Sequence, residues 1–315
     1  MKKSVFTLMF FQVSLMLLQN ASIKGQNTYE FLRLDYSPRA AALAGSFVAA
    51  NDDPNTILYN PAGVNFLKGS PISFSFLKYL MDINSASLIY SKEFEGIGRF
   101  AAAIQYINYG NFTEATYDGV KTGEFSANDI AFTIGYGNEL GENFYYGINA
   151  KFIYSSIAKQ YSSAYAFDLG LHYSIPQSNW NIGFAILNLG SQITPYFNTK
   201  EELPLDIRLG FTKQLEKLPF KFYWSFNRLN EKQNEFFDRF QNITIGGEFI
   251  FKSGFNLRFG YDNQKRKDFK IGTTAGLAGF NLGFGFLVSN YKIDYAFSSL
   301  GSAGSLHRIG ISTEL

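Results

Sequence analysis

Residues 129–137 read D-I-A-F-T-I-G-Y-G. Ile130, Phe132, Ile134 and Tyr136 share one parity; Asp129, Ala131, Thr133 and Gly135 share the other. Successive side chains of an extended strand point to opposite faces, so this stretch has one large apolar face and one small, polar face. The same period governs its neighbours. Tyr146, Ile148, Phe152 and Tyr154 alternate with Gly147, Asn149, Lys151 and Ser155. Tyr165, Phe167, Leu169, Leu171 and Tyr173 alternate with Ala166, Asp168, Gly170 and His172. Leu205, Ile207, Leu209 and Phe211 alternate with Asp206, Arg208, Gly210 and Thr212, and similar runs start at Phe220, Phe255 and Phe280.

About fifteen such segments lie between Pro71 and Leu315, the weakest at 269–274. Single-chain bacterial outer-membrane barrels have even strand numbers, so that segment is set aside and fourteen strands are expected. A soluble sandwich would alternate too; the second face decides. It is mostly Gly, Ala, Ser and Asn with sparse charge, whereas a solvated sheet face is dense in Lys, Glu and Thr. Small side chains fit inside a closed cylinder, where they converge. The aromatic face is more apolar surface than one core absorbs; lipid takes it, and closure leaves no unpaired edge. The expected fold is all-β: a transmembrane antiparallel β-barrel of about 14 strands. Tyr106, Tyr109, Tyr136, Tyr154, Tyr173, Trp180, Tyr261, Tyr291 and Tyr295, near segment ends, fit interfacial aromatic girdles.

Composition agrees. Of 315 residues 17% are charged, against about 25% in soluble domains, and 18% are aromatic, with 34 Phe and 20 Tyr. The net charge of +2 implies no acidic partner. The chain has no Cys, which excludes disulfides, thiolate metal sites, a thiol nucleophile and an acylated cysteine. Lys2 and Lys3 precede a mostly apolar run over 5–18. That is a secretion signal, too short to span a bilayer as a helix. Cleavage is expected near Gly25/Gln26, with Ala21-Ser22 as the other option, dividing the chain into a signal (1–25), an N-terminal segment (26–70) and a barrel (71–315). Turns at 95–98, 141–143 and 252–254 are short. The polar connections 109–126, 190–202 and 230–240 are longer and are assigned to the cell exterior.

The segment 26–70 breaks the rhythm. Residues 38–48 suggest a short Ala-rich helix with Pro38 in its first turn. Residues 51–63 then read N-D-D-P-N-T-I-L-Y-N-P-A-G. Asp53 and Asn60 each precede a proline, which turns the chain out of helical geometry, and Gly63 can supply a positive φ. Such irregular backbone cannot face lipid. It is expected inside the barrel or under its mouth as a plug or lid, with Arg39, Asp52, Asp53, Asn60, Pro61 and Gly63 as its distinctive residues.

Charges of lumen parity carry both signs: Arg99, Lys151, Asp168, Asp206, Arg208, Glu248, Arg258, Asp262, Lys292 and Asp294. They are expected to pair with one another and with the plug, permeation selectivity being the alternative. Asp52 and Asp53 are expected to hold Arg208 or Arg258, or to serve as turn residues. No catalytic constellation is legible, because His172 and His307 sit on distant strands. No cofactor and no metal cluster is implied. Lys265-Arg266-Lys267 is a basic turn, solvated or set against lipopolysaccharide phosphate.

Residues 39–63, R-A-A-A-L-A-G-S-F-V-A-A-N-D-D-P-N-T-I-L-Y-N-P-A-G, resemble the N-terminal signature of the PorV/PorQ family, related in fold to FadL-type fourteen-stranded outer-membrane barrels. Residues 125–137, 151–156, 276–286 and 295–312 resemble its PorQ-type members in particular, and compact loops favour that type over the PorV shuttle. The resemblance implies an outer-membrane component of the type IX secretion system, doing no chemistry itself. It would anchor the surface attachment complex through PorZ, alongside the sortase-like peptidase PorU and PorV, beside outer-membrane lipid and lipopolysaccharide. Two alternatives stay open: a PorV-like cargo shuttle, and a FadL-like transporter of hydrophobic small molecules with an apolar pocket and a lateral opening. The chain departs from many such barrels by ending Thr313-Glu314-Leu315 instead of in Phe or Tyr.

Overall fold

The computed structural model describes residues 27–231, 236–269 and 276–315; the expected signal segment lies outside them, as do parts of the 230–240 connection and of 269–274. The alternating segments form fourteen strands: β1 (Pro71–Lys78), β2 (Asn84–Phe94), β3 (Gly98–Ala115), β4 (Lys121–Gly141), β5 (Phe144–Ile157), β6 (Gln160–Ile175), β7 (Trp180–Thr194), β8 (Asp206–Gln214), β9 (Phe220–Phe226), β10 (Ile243–Ile250), β11 (Phe255–Asp262), β12 (Phe280–Val288), β13 (Tyr291–Ser299) and β14 (Ser305–Glu314). Each pairs antiparallel with its sequence neighbours. β14 returns to β1, from Ile72↔Thr313 to Lys78↔His307, and closes the barrel.

Parity assigns the faces. On β4, Ala131 and Thr133 point inward and are buried, while Phe132 and Ile134 point outward and are exposed. Phe74, Leu88, Phe152, Phe167, Phe259, Leu282 and Ile309 continue an apolar belt around the cylinder. Tyr106, Tyr154, Tyr173 and Tyr291 are on the outside as expected of a girdle. Tyr109 is not: it shares the inward parity of Gln105 and Ile107 on β3, and its hydroxyl donates to Asp129 (2.7 Å).

The turns after β2, β4, β6, β8, β10 and β12 share a rim with the start of β1 and the end of β14. The connections 109–126, 190–202 and 230–240 belong to the opposite rim, as does α2 (Asn263–Asp268) between β11 and β12. The wall is uneven in height. β3 to β7 run to 18, 21, 14, 16 and 15 residues, whereas β8 to β11 have 9, 7, 8 and 8. The upper parts of β3 and β4 pair only with each other, from Asn111↔Ser126 to Ala115↔Lys121, and Phe112 stacks on Phe125.

The N-terminal segment lies within the lumen. Helix α1 spans only Pro38–Ala42, shorter than the run 38–48 suggested. Ala44 (φ 57°) and Gly45 (φ 73°) adopt left-handed conformations, and the Gly45 amide returns to the Ala40 carbonyl (2.8 Å), ending the helix. Two 3-10 turns follow, Pro54–Leu58 and Pro61–Phe66. All three elements begin with proline behind a capping side chain. Ser37 accepts from the Ala40 amide, Asp53 from Asn55 and Asn60 from Ala62.

Candidate functional site: the filled lumen

The plug needs a wall that lets backbone approach backbone, and lumen-parity glycines supply it. A Cβ at Gly147 would lie 2.3 Å from the Pro61 carbonyl carbon, and one at Gly183 2.2 Å from the Val48 oxygen. At Gly260 it would lie 2.6 Å from the Ala42 oxygen and the Ala44 nitrogen, and at Gly283 2.5 Å from the Ala42 side chain. The glycines of 276–286 therefore act partly as seats for the plug. Gly63 serves the same end in place of the expected positive φ: its Cβ would meet the Thr56 side chain at 2.7 Å, and its φ is not positive.

Ion pairs then fix the plug to one arc of the wall. Arg39, 3% exposed, donates from Nη2 and Nε to Glu248 on β10 (2.7 and 3.1 Å). Glu248 also accepts from Arg258 Nε on β11 (2.7 Å), and Arg258 reaches Asp294 on β13 (2.5 Å). On its other side Arg39 lies 3.0 Å from Asp52 and 3.5 Å from Asp53, and Lys221 on β9 reaches Asp52 at 3.4 Å. The Tyr223 hydroxyl donates to Glu248 (2.7 Å). Burial would lower the Arg39 pKa, but the surrounding Asp52 and Glu248 charges outweigh it and hold the guanidinium ionised.

Contrary to the pairing expected from sequence, the two plug aspartates do not reach Arg208 or Arg258. Asp52 takes Arg39 and Lys221, and Asp53 caps the 54–58 turn. Arg208 is held within its own strand by Asp206 (2.7 Å), and Arg258 is taken by Glu248 and Asp294. Arg39, 13 residues from Asp52 within the plug itself, supplies the cation that the wall arginines do not. Asp168 pairs with Lys151 (2.8 Å) and accepts from Asn149 (2.7 Å). His172 bonds Asn181 (3.2 Å), not Asp168. Asn60 donates to the Val48 and Leu171 carbonyls (2.8 and 2.9 Å), tying the plug to itself and to β6; Pro61 packs beside it over Gly147 and Gly170. Among the described residues no cluster of His, Cys, Asp and Glu could hold a metal ion.

Asp35, Lys221 and Tyr223 were not singled out from the sequence. The large Phe residues of β9 drew attention to the outer parity, although Lys221, Tyr223 and Ser225 between them mark the inner one. Asp35 pairs with Lys265 (3.2 Å), and the Arg308 guanidinium donates to its backbone carbonyl (2.6 Å). Burial would raise its carboxyl, but Lys265, Arg308 and Arg208 together hold it below its ordinary value. Lys265, the first residue of the basic turn, is thus a plug clamp. Beside it a polar cavity of about 80 Å³, lined by Arg33, Asp35, Asp206, Arg208 and Lys265 among others, falls well below the roughly 300 Å³ of small-ligand sites.

A second cleft opens where the wall steps down. β7 continues to Thr194, but its pairing with β8 stops at Leu187↔Asp206. Asn188 there has φ 62°, and β6–β7 shifts register between Phe167 and Leu169. The returning segment 200–205 bounds a cleft of about 320 Å³ with Asn188, Leu189, Gly190 and Ser191. The Asn188 side chain donates to the Pro204 carbonyl (3.1 Å) and accepts from buried Lys151 (2.8 Å).

Neither a protein-family model nor a curated protein matches the sequence. Solved structures do match in shape. The toluene transporter TbuX of Ralstonia pickettii superposes with a TM-score of 0.60 at 12% identity, covering 89% of this chain and 98% of that one. The fold is that of the FadL-type outer-membrane barrels. The toluene transporter TodX of Pseudomonas putida gives 0.57 at 13% identity over 88% and 96% of the two chains. A Pseudomonas aeruginosa FadL homologue gives 0.55 at 11% over 93% and 99%. At these identities the likeness concerns the fold alone.

Proposed function

We propose that this chain is an integral outer-membrane barrel of the type IX secretion system that acts through its loop-bearing rim, holding the attachment complex by way of PorZ, with PorU and PorV alongside. The observation carrying the rim reading is the filled lumen. The plug is seated on wall glycines and clamped by Arg39–Glu248, so the interior is a packed core, and the surface left for recognition is the rim bearing 109–126, 190–202 and 230–240. The choice of partners rests on the resemblance of residues 39–63 and of the C-terminal run to PorQ-type proteins; nothing in the comparisons adds to it. Affinity capture of the tagged full-length barrel from a detergent extract of its native membrane is expected to bring down PorZ. Repeated capture without PorZ would sink the assignment.

A FadL-like transporter of hydrophobic small molecules is the second reading, and the comparisons favour it over the first. TbuX and TodX are toluene transporters, and the cleft beside Asn188 lies where the pairing of β7 with β8 ends. Toluene uptake into vesicles carrying the purified barrel, at a rate above that of empty vesicles, would establish it.

A further inference from the structure

The plug meets the wall in two unlike ways. Against β4 to β13 it is seated on glycines, Gly135 and Gly137 of β4 included, and bonded through Asn149, Asn60, Lys221, Glu248 and Arg39. Against β1 to β3, and at Thr133 of β4, the wall is small and polar, and a bond from Asn55 to Ser73 (3.2 Å) ties the plug there. Ser75 and Ser87 face each other across the β1–β2 ladder, Gln105 is paired with Ser87 across β2–β3, and Thr133 lies on β4. Thr56 of the plug lies in the 54–58 turn that packs on β1 and β2. These five side chains are each at most 2% exposed. Among the described residues the hydroxyls of Ser75, Ser87, Thr133 and Thr56, and the Gln105 Oε1, have no hydrogen-bond partner, whereas on the other arc the unpartnered atoms of Asn149, His172, Ser225 and Arg258 are scattered over β5, β6, β9 and β11.

Buried polar atoms are seldom left unpaired, because each would forfeit its hydration without return. One orphan is an accident of packing. Five, on three neighbouring strands, β4 and the facing plug turn, form a polar surface of the kind that buried water satisfies with two to four bonds per molecule. Ser75, Ser87, Ala101, Ala103 and Ala131 keep the wall side chains small there, while Ile89 and Ile107 of the same parity pack into the apolar core. We propose that water molecules occupy the seam between the 54–58 turn and strands β1–β4, bridging Ser75, Ser87, Gln105, Thr133 and Thr56. The plug is then held by ion pairs on one arc of the barrel and largely through water along the other.

The absence of cysteine allows a clean test. Ser87→Cys and Ala185→Cys place single thiols on the wet arc and on the dry one, where Ala185 is buried against Val48 and Leu187. The full-length barrel is folded into phosphatidylcholine vesicles and exposed to silver ions, which are small enough to follow water. Thiol remaining over time is read with a maleimide after denaturation. Ser87→Cys is expected to be consumed at least about tenfold faster than Ala185→Cys, whose access requires local opening. Equal, slow protection would show a dry seam and overturn the proposal. Rapid loss at both positions would overturn it too, since the plug would then be loose all round. If Ser87→Cys does not give the folded barrel, Ser75→Cys reads the same seam.

Discussion

Arg39→Met removes the central clamp of the plug while keeping most of its volume. Arg39 touches Glu248 through two bonds of 2.7 and 3.1 Å, and the two side chains are 4% and 1% exposed. At an effective dielectric constant near 20 such a contact is worth about 4 kcal/mol before desolvation, and deleting one partner of a buried pair costs about 3–5 kcal/mol. Glu248 keeps Arg258 at 2.7 Å, so the cost falls at the lower end, about 3 kcal/mol. Glu248→Gln leaves Arg39 with Asp52 and Asp53 and is expected to cost less, about 2 kcal/mol. The double variant removes both charges together, and its cost should fall short of the sum by about 1.5 kcal/mol or more. Urea unfolding from lipid vesicles, followed by the fluorescence of the two tryptophans Trp180 and Trp224, measures all three. Costs adding to within about 0.5 kcal/mol would mean that the clamp is geometric only, and the reasoning fails.

Gly260→Ala keeps an ordinary φ but drives a methyl to 2.6 Å from the plug backbone; it should destabilise by about 1–3 kcal/mol and expose 38–45 to protease, which a parent-like digestion pattern would refute. Asn60→Ala loses two bonds to carbonyls and a cap, and is expected to cost about 1–2 kcal/mol in the same urea assay. Asp35 has a folded pKa below its ordinary 3.8, so its contribution is fully present above that value and lost as pH falls through the folded one; the unfolding midpoint of the parent should drop below about pH 4, and that of Asp35→Asn should drop less. Phe132→Lys, on the outer face of β4, should cost about 2–4 kcal/mol in a bilayer, and an unchanged midpoint would place that face away from lipid.

The barrel was legible because parity is a local signal. Ile130, Phe132 and Ile134 against Ala131 and Thr133 fix both faces of β4 without any knowledge of its partners. Counting alone gave about fifteen segments; the even number of strands in such barrels reduced them to fourteen. Tyr109 shares the inward parity of Gln105 and Ile107, so its residue type suggested a girdle where its parity did not. The plug could be recognised as a misfit from its prolines and asparagines, but its contacts could not be read. Arg39 meets Glu248 across 209 residues, and nothing in either neighbourhood names the other. The glycine seats were legible only as small residues of lumen parity, since a glycine facing a plug and one in a bend look alike in sequence. The 38–48 helix was overcalled because alanines favour a helix locally, whereas Ala44 and Gly45 turn left-handed to pass beneath Asp35.

The unequal strand lengths have a consequence for whatever approaches from outside. About 9–11 residues carry a tilted strand across the hydrocarbon, so the 21 residues of β4 leave a parapet along one flank while the 8 of β10 end near the lipid boundary. A body settling on this crown, as proposed above, would meet a standing ribbon on one side and an open sill on the other, and that step would bias its rotational setting.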